Sequence, residues 1–133
     1  MENLIPYSKS EHFLKELSDI QTFCEDFTSD DANILVEKGN QLAGYIARTG
    51  FILSEAKKAY SEKYNSEVIE MLKKAGQEAY LTSTVINKLS ASFCAKEQYL
   101  VDFADRLNRC CTHQLEWCRT LISKSKAEMQ YRL

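Results

Sequence analysis

Apolar side chains along this chain return at steps of three and four residues, the repeat of one face of an α-helix. Phe13, Leu17, Ile20, Cys24 and Phe27 set the first such face and predict a first helix. Ahead of it, Ser8-Lys9-Ser10-Glu11 has the form of a capping box, with the Ser8 hydroxyl accepting from the Glu11 amide. Thr28-Ser29-Asp30-Asp31 then supplies a stop and a fresh N-cap, with carboxylates where the helix dipole favours them.

The second face is longer, through Leu35, Leu42, Ile46, Leu53, Ala56 and Tyr60, and on into Val68, Ile69 and Leu72. Nothing from Asp31 to about Lys74 forces a break, although Asn65-Ser66 is able to restart a second, collinear helix. Gly39, Ala43, Ala47 and Gly50 form a strip of small residues that would let a neighbouring helix approach closely. The alternative is that the glycines only weaken the helix, by about 1 kcal/mol each. Lys73-Lys74-Ala75-Gly76 reads as its C-terminus, with cations in the last turn and glycine past it.

Thr82-Ser83-Thr84 is suited to cap a short third helix carrying Val85, Ile86 and Leu89, and Ser90-Ala91-Ser92 is expected to open the last. The seam of that last helix is Leu100, Ala104, Leu107, Cys111, Leu115, Cys118, Ile122 and Met129, flanked by Phe103, Cys110, Trp117 and Leu121. Its eleven-residue step keeps the seam nearly straight. No strand-type alternation lasts beyond a few residues. The pattern predicts an all-α protein, one domain over residues 1–133. Two long helices would dominate an antiparallel helical bundle, with a shorter N-terminal helix and a short third helix beside them. Helices of 35 to 45 residues would run roughly 52 to 68 Å, too long for the two short ones to cover. Exposed apolar strips would remain, so a homo-oligomer is expected over a monomer.

Composition changes this picture little. One proline and four glycines agree with long helices, and the 44% hydrophobic fraction supports a packed core. No apolar run approaches the roughly 18 residues of a membrane span, and the first residues lack the basic patch and apolar stretch of a secretory signal. A cytoplasmic protein without membrane contact is therefore expected. Five cysteines, with no C-x-x-C among them, suggest reduced, buried thiols.

Charge adds an asymmetry within the net −2. Residues 1–37 hold nine acidic against two basic side chains, a balance of −7, whereas residues 106–133 hold six basic against two acidic, a balance of +4. Either the acidic segment packs near the basic helix, within one chain or between copies, or the basic end meets a phosphate-bearing partner.

The richest stretch is Arg106 to Arg119. Arg106, Arg109 and His113 place three potential cations along one stripe, and Trp117 or Tyr99 is available to stack on a base. The plainer alternative is a solvated face pairing Arg109 with Asp105 or Glu116. Cys110 and His113 share a face too, but two ligands from one helix need two more from elsewhere, and Cys94 and Cys24 have no diagnostic spacing for zinc. A Cys–His nucleophile in mid-helix lacks an oxyanion site. Glu67 with Glu70, and Asp102 with Asp105, have no histidine partner of the di-iron kind. Glycine-rich phosphate loops and nucleophile elbows are absent. No catalytic residue, metal or cofactor is expected.

The runs Asp105–Arg109, Thr112–Ser123 and Lys124–Met129 resemble small uncharacterised all-helical proteins of bacteriophages and prophages, of the Bacteroidales type. A weaker likeness lies in Leu42–Ile46 and Leu53–Lys57. The resemblance is strongest over residues 105–129, and residues 1–30 are outside it. It implies a phage or mobile-element origin, a helical bundle and a gene neighbourhood of phage DNA metabolism, and it carries over no catalytic or binding residue. The expected function is thus a phage-derived, homo-oligomeric binding protein, an accessory of DNA metabolism contacting single-stranded nucleic acid or protein. Two alternatives stand beside it: a protein sequestering a nucleotide signal of host immunity, and a structural or inhibitory partner of a host protein.

Overall fold

The computed structural model describes residues 5–26, 31–76 and 82–132, and among them there are four helices and no strand. They are α1 (Ile5–Glu25), α2 (Ala32–Ala75), α3 (Ser83–Phe93) and α4 (Ala95–Arg132). This is the expected all-α bundle dominated by two long helices. Phe27 and the Thr28–Asp30 part of the stop signal lie outside the described residues. Because α1 begins at Ile5, the Ser8–Glu11 box falls inside the helix instead of opening it.

Asp31 caps α2 as its position suggested, its Oδ1 accepting from the Asn33 amide at 2.9 Å and the Ile34 amide at 3.4 Å. The helix then runs unbroken for 44 residues, so Asn65-Ser66 does not restart it. It ends at Ala75 with Lys73 and Lys74 in the last turn. The Gly76 amide donates to the Leu72 carbonyl at 3.1 Å.

Thr82 caps α3, its Oγ1 accepting from the Val85 amide at 3.3 Å. The predicted opening of the last helix at Ser90–Ser92 is a misreading. Ile86, Ser90 and Cys94 are all buried, so the inward side continues past the serines. Ser92 donates its hydroxyl back to the Leu89 carbonyl at 2.7 Å, a bond made inside a helix instead of at a cap. The chain bends at Cys94 (φ −101, ψ 18), and the Cys94 carbonyl accepts the first α4 bond, from Gln98, at 2.9 Å.

The chain divides into two compact units, Met1–Ile52 with Phe103–Leu133, and Leu53–Asp102. In the first, α1 contributes Phe13, Leu17, Ile20 and Cys24 to the core, α2 contributes Leu35, Leu42, Thr49 and Ile52, and α4 contributes Ala104, Leu107, Cys111 and Cys118. Polar ties fix the register. Arg48 holds Glu16 through two bonds of 2.8 and 2.9 Å, and Lys38 donates to the Asp26 carbonyl at 2.8 Å, so α1 and α2 are antiparallel. Asn108 donates to the Ile46 carbonyl at 3.0 Å and to Thr49 Oγ1 at 3.1 Å, while the Thr49 hydroxyl donates to the Tyr45 carbonyl at 2.7 Å. The one buried threonine of this core is thereby satisfied.

In the second unit, Ala56, Met71, Ile86, Cys94 and Leu100 are buried. Lys63 pairs with Glu97 at 3.0 Å, and Tyr64 donates to Asn87 Oδ1 at 3.2 Å. No helix among the described residues is long and apolar enough to cross a membrane.

A candidate binding stripe on the last helix

Helical geometry decides which α4 side chains meet solvent. Ala104, Leu107, Cys111 and Cys118 point into the core of the first unit, and residues about half a turn away must face out. Those are Arg106, Arg109, His113 and Trp117, all exposed, with Lys124 exposed seven residues further along the same line. The side chains of Arg109 and His113 are 72% and 78% exposed, and Trp117 is 53% exposed. Tyr99 is also exposed and lies on α4, but within the second unit.

Each of the three basic side chains has a local neighbour. Arg109 pairs with Asp105 at 3.1 Å, His113 stands 3.8 Å from Glu116, and the Arg106 guanidinium lies 5.8 Å from the Phe103 ring centre. These are pairings within one helix between solvated groups, the arrangement the plainer alternative anticipated. Such pairs contribute about 0.5 kcal/mol or less, so they hold the side chains weakly against an incoming polyanion. Within the acidic first segment, the Glu16 carboxylate is engaged by Arg48 of α2.

Two features were not found in the sequence. The Asn108–Thr49 tie lies beside the stripe and fixes α4 to α2. A thiol cluster lies behind it: Cys24 Sγ and Cys111 Sγ are 3.6 Å apart, both buried, and Cys110 is part-exposed beside them. The periodicity places Cys24 and Cys111 each on a core face, but two faces separated by 87 positions cannot be registered from spacing alone. The Gln114 side chain ties the same corner, donating from Nε2 to the Cys24 carbonyl at 2.7 Å. Burial pushes the Cys24, Cys94, Cys111 and Cys118 thiols above the ordinary thiol range.

Among the described residues, no group of three or more His, Cys, Asp or Glu side chains is placed to hold a metal ion. Cys94 belongs to the second unit, beside Glu97 and Lys63. Compared with family models, curated proteins and solved structures, the chain matches none.

Proposed function

We propose that this is a non-enzymatic binding protein of phage origin. On this reading it is a homo-oligomeric accessory of phage DNA metabolism in the host cytoplasm, and its α4 stripe contacts single-stranded nucleic acid. The observation that carries the reading is the line of Arg106, Arg109, His113 and Trp117, exposed on the side of α4 opposite the core. From Arg106 to Trp117 the line spans about 16 Å. That length suits two or three phosphates, with an indole at one end for a base to stack on.

Homo-oligomerisation is supported by apolar side chains left in solvent, foremost Val85, Leu89 and Phe93 on α3, which recur every four residues along one side. The phage origin rests on the resemblance of residues 105–129.

Binding of a fluorescent oligothymidylate, followed by anisotropy, tests the nucleic-acid reading. With two to three phosphates neutralised, affinity should fall about 7- to 18-fold between 50 and 200 mM salt. Replacing both Arg106 and Arg109 by Ala should weaken binding at low salt and flatten that dependence. Absence of binding at 50 mM salt would remove the nucleic-acid reading altogether.

A further inference from the structure

The thiol cluster between α1 and α4 plays no part in the proposed stripe. Cys24 comes from the last turn of α1, and Cys110 and Cys111 are neighbours on α4. Cys24 Sγ lies 3.6 Å from Cys111 Sγ, and Cys110, next to Cys111 on α4, is near enough to influence the Cys24 thiol. Three thiols thus meet at one point from two helices, and none is bonded.

We propose that this cluster is an oxidation site, at which a small-molecule disulfide reacts first with part-exposed Cys110 and leaves a Cys24–Cys111 disulfide joining α1 to α4. Forming the bond requires the two sulfurs to close from contact to about 2 Å. Both sit between α1 and α4 with their sulfurs already 3.6 Å apart.

The chemistry balances as three successive exchanges. Cys110 attacks the disulfide RSSR, forming Cys110–S–SR and releasing one RSH. Cys24 then attacks the Cys110 sulfur, its proton leaving with the second RSH, and a Cys24–Cys110 bond forms. Cys111 next attacks the Cys24 sulfur and gives its proton to the departing Cys110 thiolate. Overall, two thiols lose two electrons and two protons, and one RSSR becomes two RSH.

The division of labour follows from exposure. Cys24 and Cys111 are 5% and 0% exposed, so an oxidant in solvent does not meet them. Burial also keeps them protonated, which slows direct attack. Cys110 is the member that solvent reaches. The bond closes a loop across 87 positions, which constrains the unfolded chain strongly, and it locks α1 onto the core. In a reducing compartment such a bond is transient and reports the thiol–disulfide balance.

The test treats the full-length folded chain with oxidised glutathione, traps free thiols with an alkylating agent, and reads intact mass, fragment spectra and thermal midpoint. The wild-type chain should lose the mass of two hydrogens, with fragmentation assigning the link to Cys24 and Cys111. Its midpoint should rise by roughly 10 °C or more on oxidation. Cys24→Ser should abolish the α1–α4 link and Cys118→Ser should retain it, while Cys110→Ser should form it at least about tenfold more slowly. A wild-type chain that stays reduced until denatured, or that links through other cysteines, overturns the proposal without relying on any variant that must fold. Oxidation of Cys110→Ser at the wild-type rate overturns the role given to Cys110.

Discussion

A thiol buried in an apolar core ionises reluctantly, because its thiolate would lose the hydration that stabilises it in water. Cys24, Cys94, Cys111 and Cys118 share this cause as the largest one, and Cys24 is raised further by the neighbouring Cys111 and Cys110. For Cys118, Lys38 acts in the opposite direction. In the unfolded chain these thiols release their protons near pH 8.5, roughly. Above that pH the folded state therefore binds more protons than the unfolded one, and stability falls as pH rises. The thermal midpoint of the reduced protein should be level from pH 7 to 8 and decline steadily from about pH 9. A Cys24→Ala variant should lose less between pH 8 and 10.5 than the wild type, measured by circular dichroism under reductant. Equal alkaline losses in both would show that ionisation of Cys24 is not coupled to unfolding. The thiols also mark how far periodicity carries. Spacing puts Cys24 on an inward face because its neighbours at four and seven residues, Ile20 and Leu17, are apolar. It does not show which residue from α4 will meet it, and it gives no warning that Thr49 will be buried with Asn108 as its partner.

α2 and α4 were legible as elements because each carries a long apolar face with few breakers, and the caps at Asp31 and Thr82 have the residue types those positions need. The seam was less legible near its end. Leu107, Cys111 and Cys118 are buried, but Met129 is 65% exposed. A helical repeat in the sequence persists whether or not another helix lies alongside it. The small-residue strip was half right. Ala43 and Ala47 face solvent, while Gly39 and Gly50 face α4. A methyl group at Gly39 would stand 3.5 Å from Leu115 Cδ1, and one at Gly50 would stand 3.7 Å from Asn108 Nδ2. Both are ordinary contacts, and no glycine has a positive φ. The close approach expected of glycine is therefore not what the spacing of α2 and α4 requires. Gly39→Ala and Gly50→Ala should each raise stability, by up to about 1 kcal/mol, through better helix propensity and a less flexible unfolded chain. The urea midpoint reads this directly, and a fall in either variant would mean that the helices do need glycine there.

Cohesion is uneven along the chain, and the unevenness follows from what each helix buries. In the first unit, Leu17, Leu35, Leu42, Ile52 and Leu107 are each no more than 1% exposed, and α1, α2 and α4 are tied by Arg48–Glu16, Asn108–Thr49 and Gln114–Cys24. α3 contrasts with this. It buries Ile86 and Ser90, the Ser90 hydroxyl has no partner among the described residues, and Val85, Leu89 and Phe93 on its outer side meet solvent. A buried hydroxyl without a partner costs about 1 to 3 kcal/mol, and a short helix with few buried contacts has little to offset that loss. Amide exchange should therefore separate the two. Amides of residues 35–52 should open only with global unfolding, whereas those of α3 should exchange by local opening, at least about a hundredfold faster. Concentration adds a second axis. If copies associate through the Val85–Leu89–Phe93 side, α3 protection should rise with protein concentration while that of residues 35–52 stays constant. Protection of α3 equal to that of residues 35–52 at every concentration would contradict the weak-helix account. Faster but concentration-independent α3 exchange would place any self-association elsewhere than on α3.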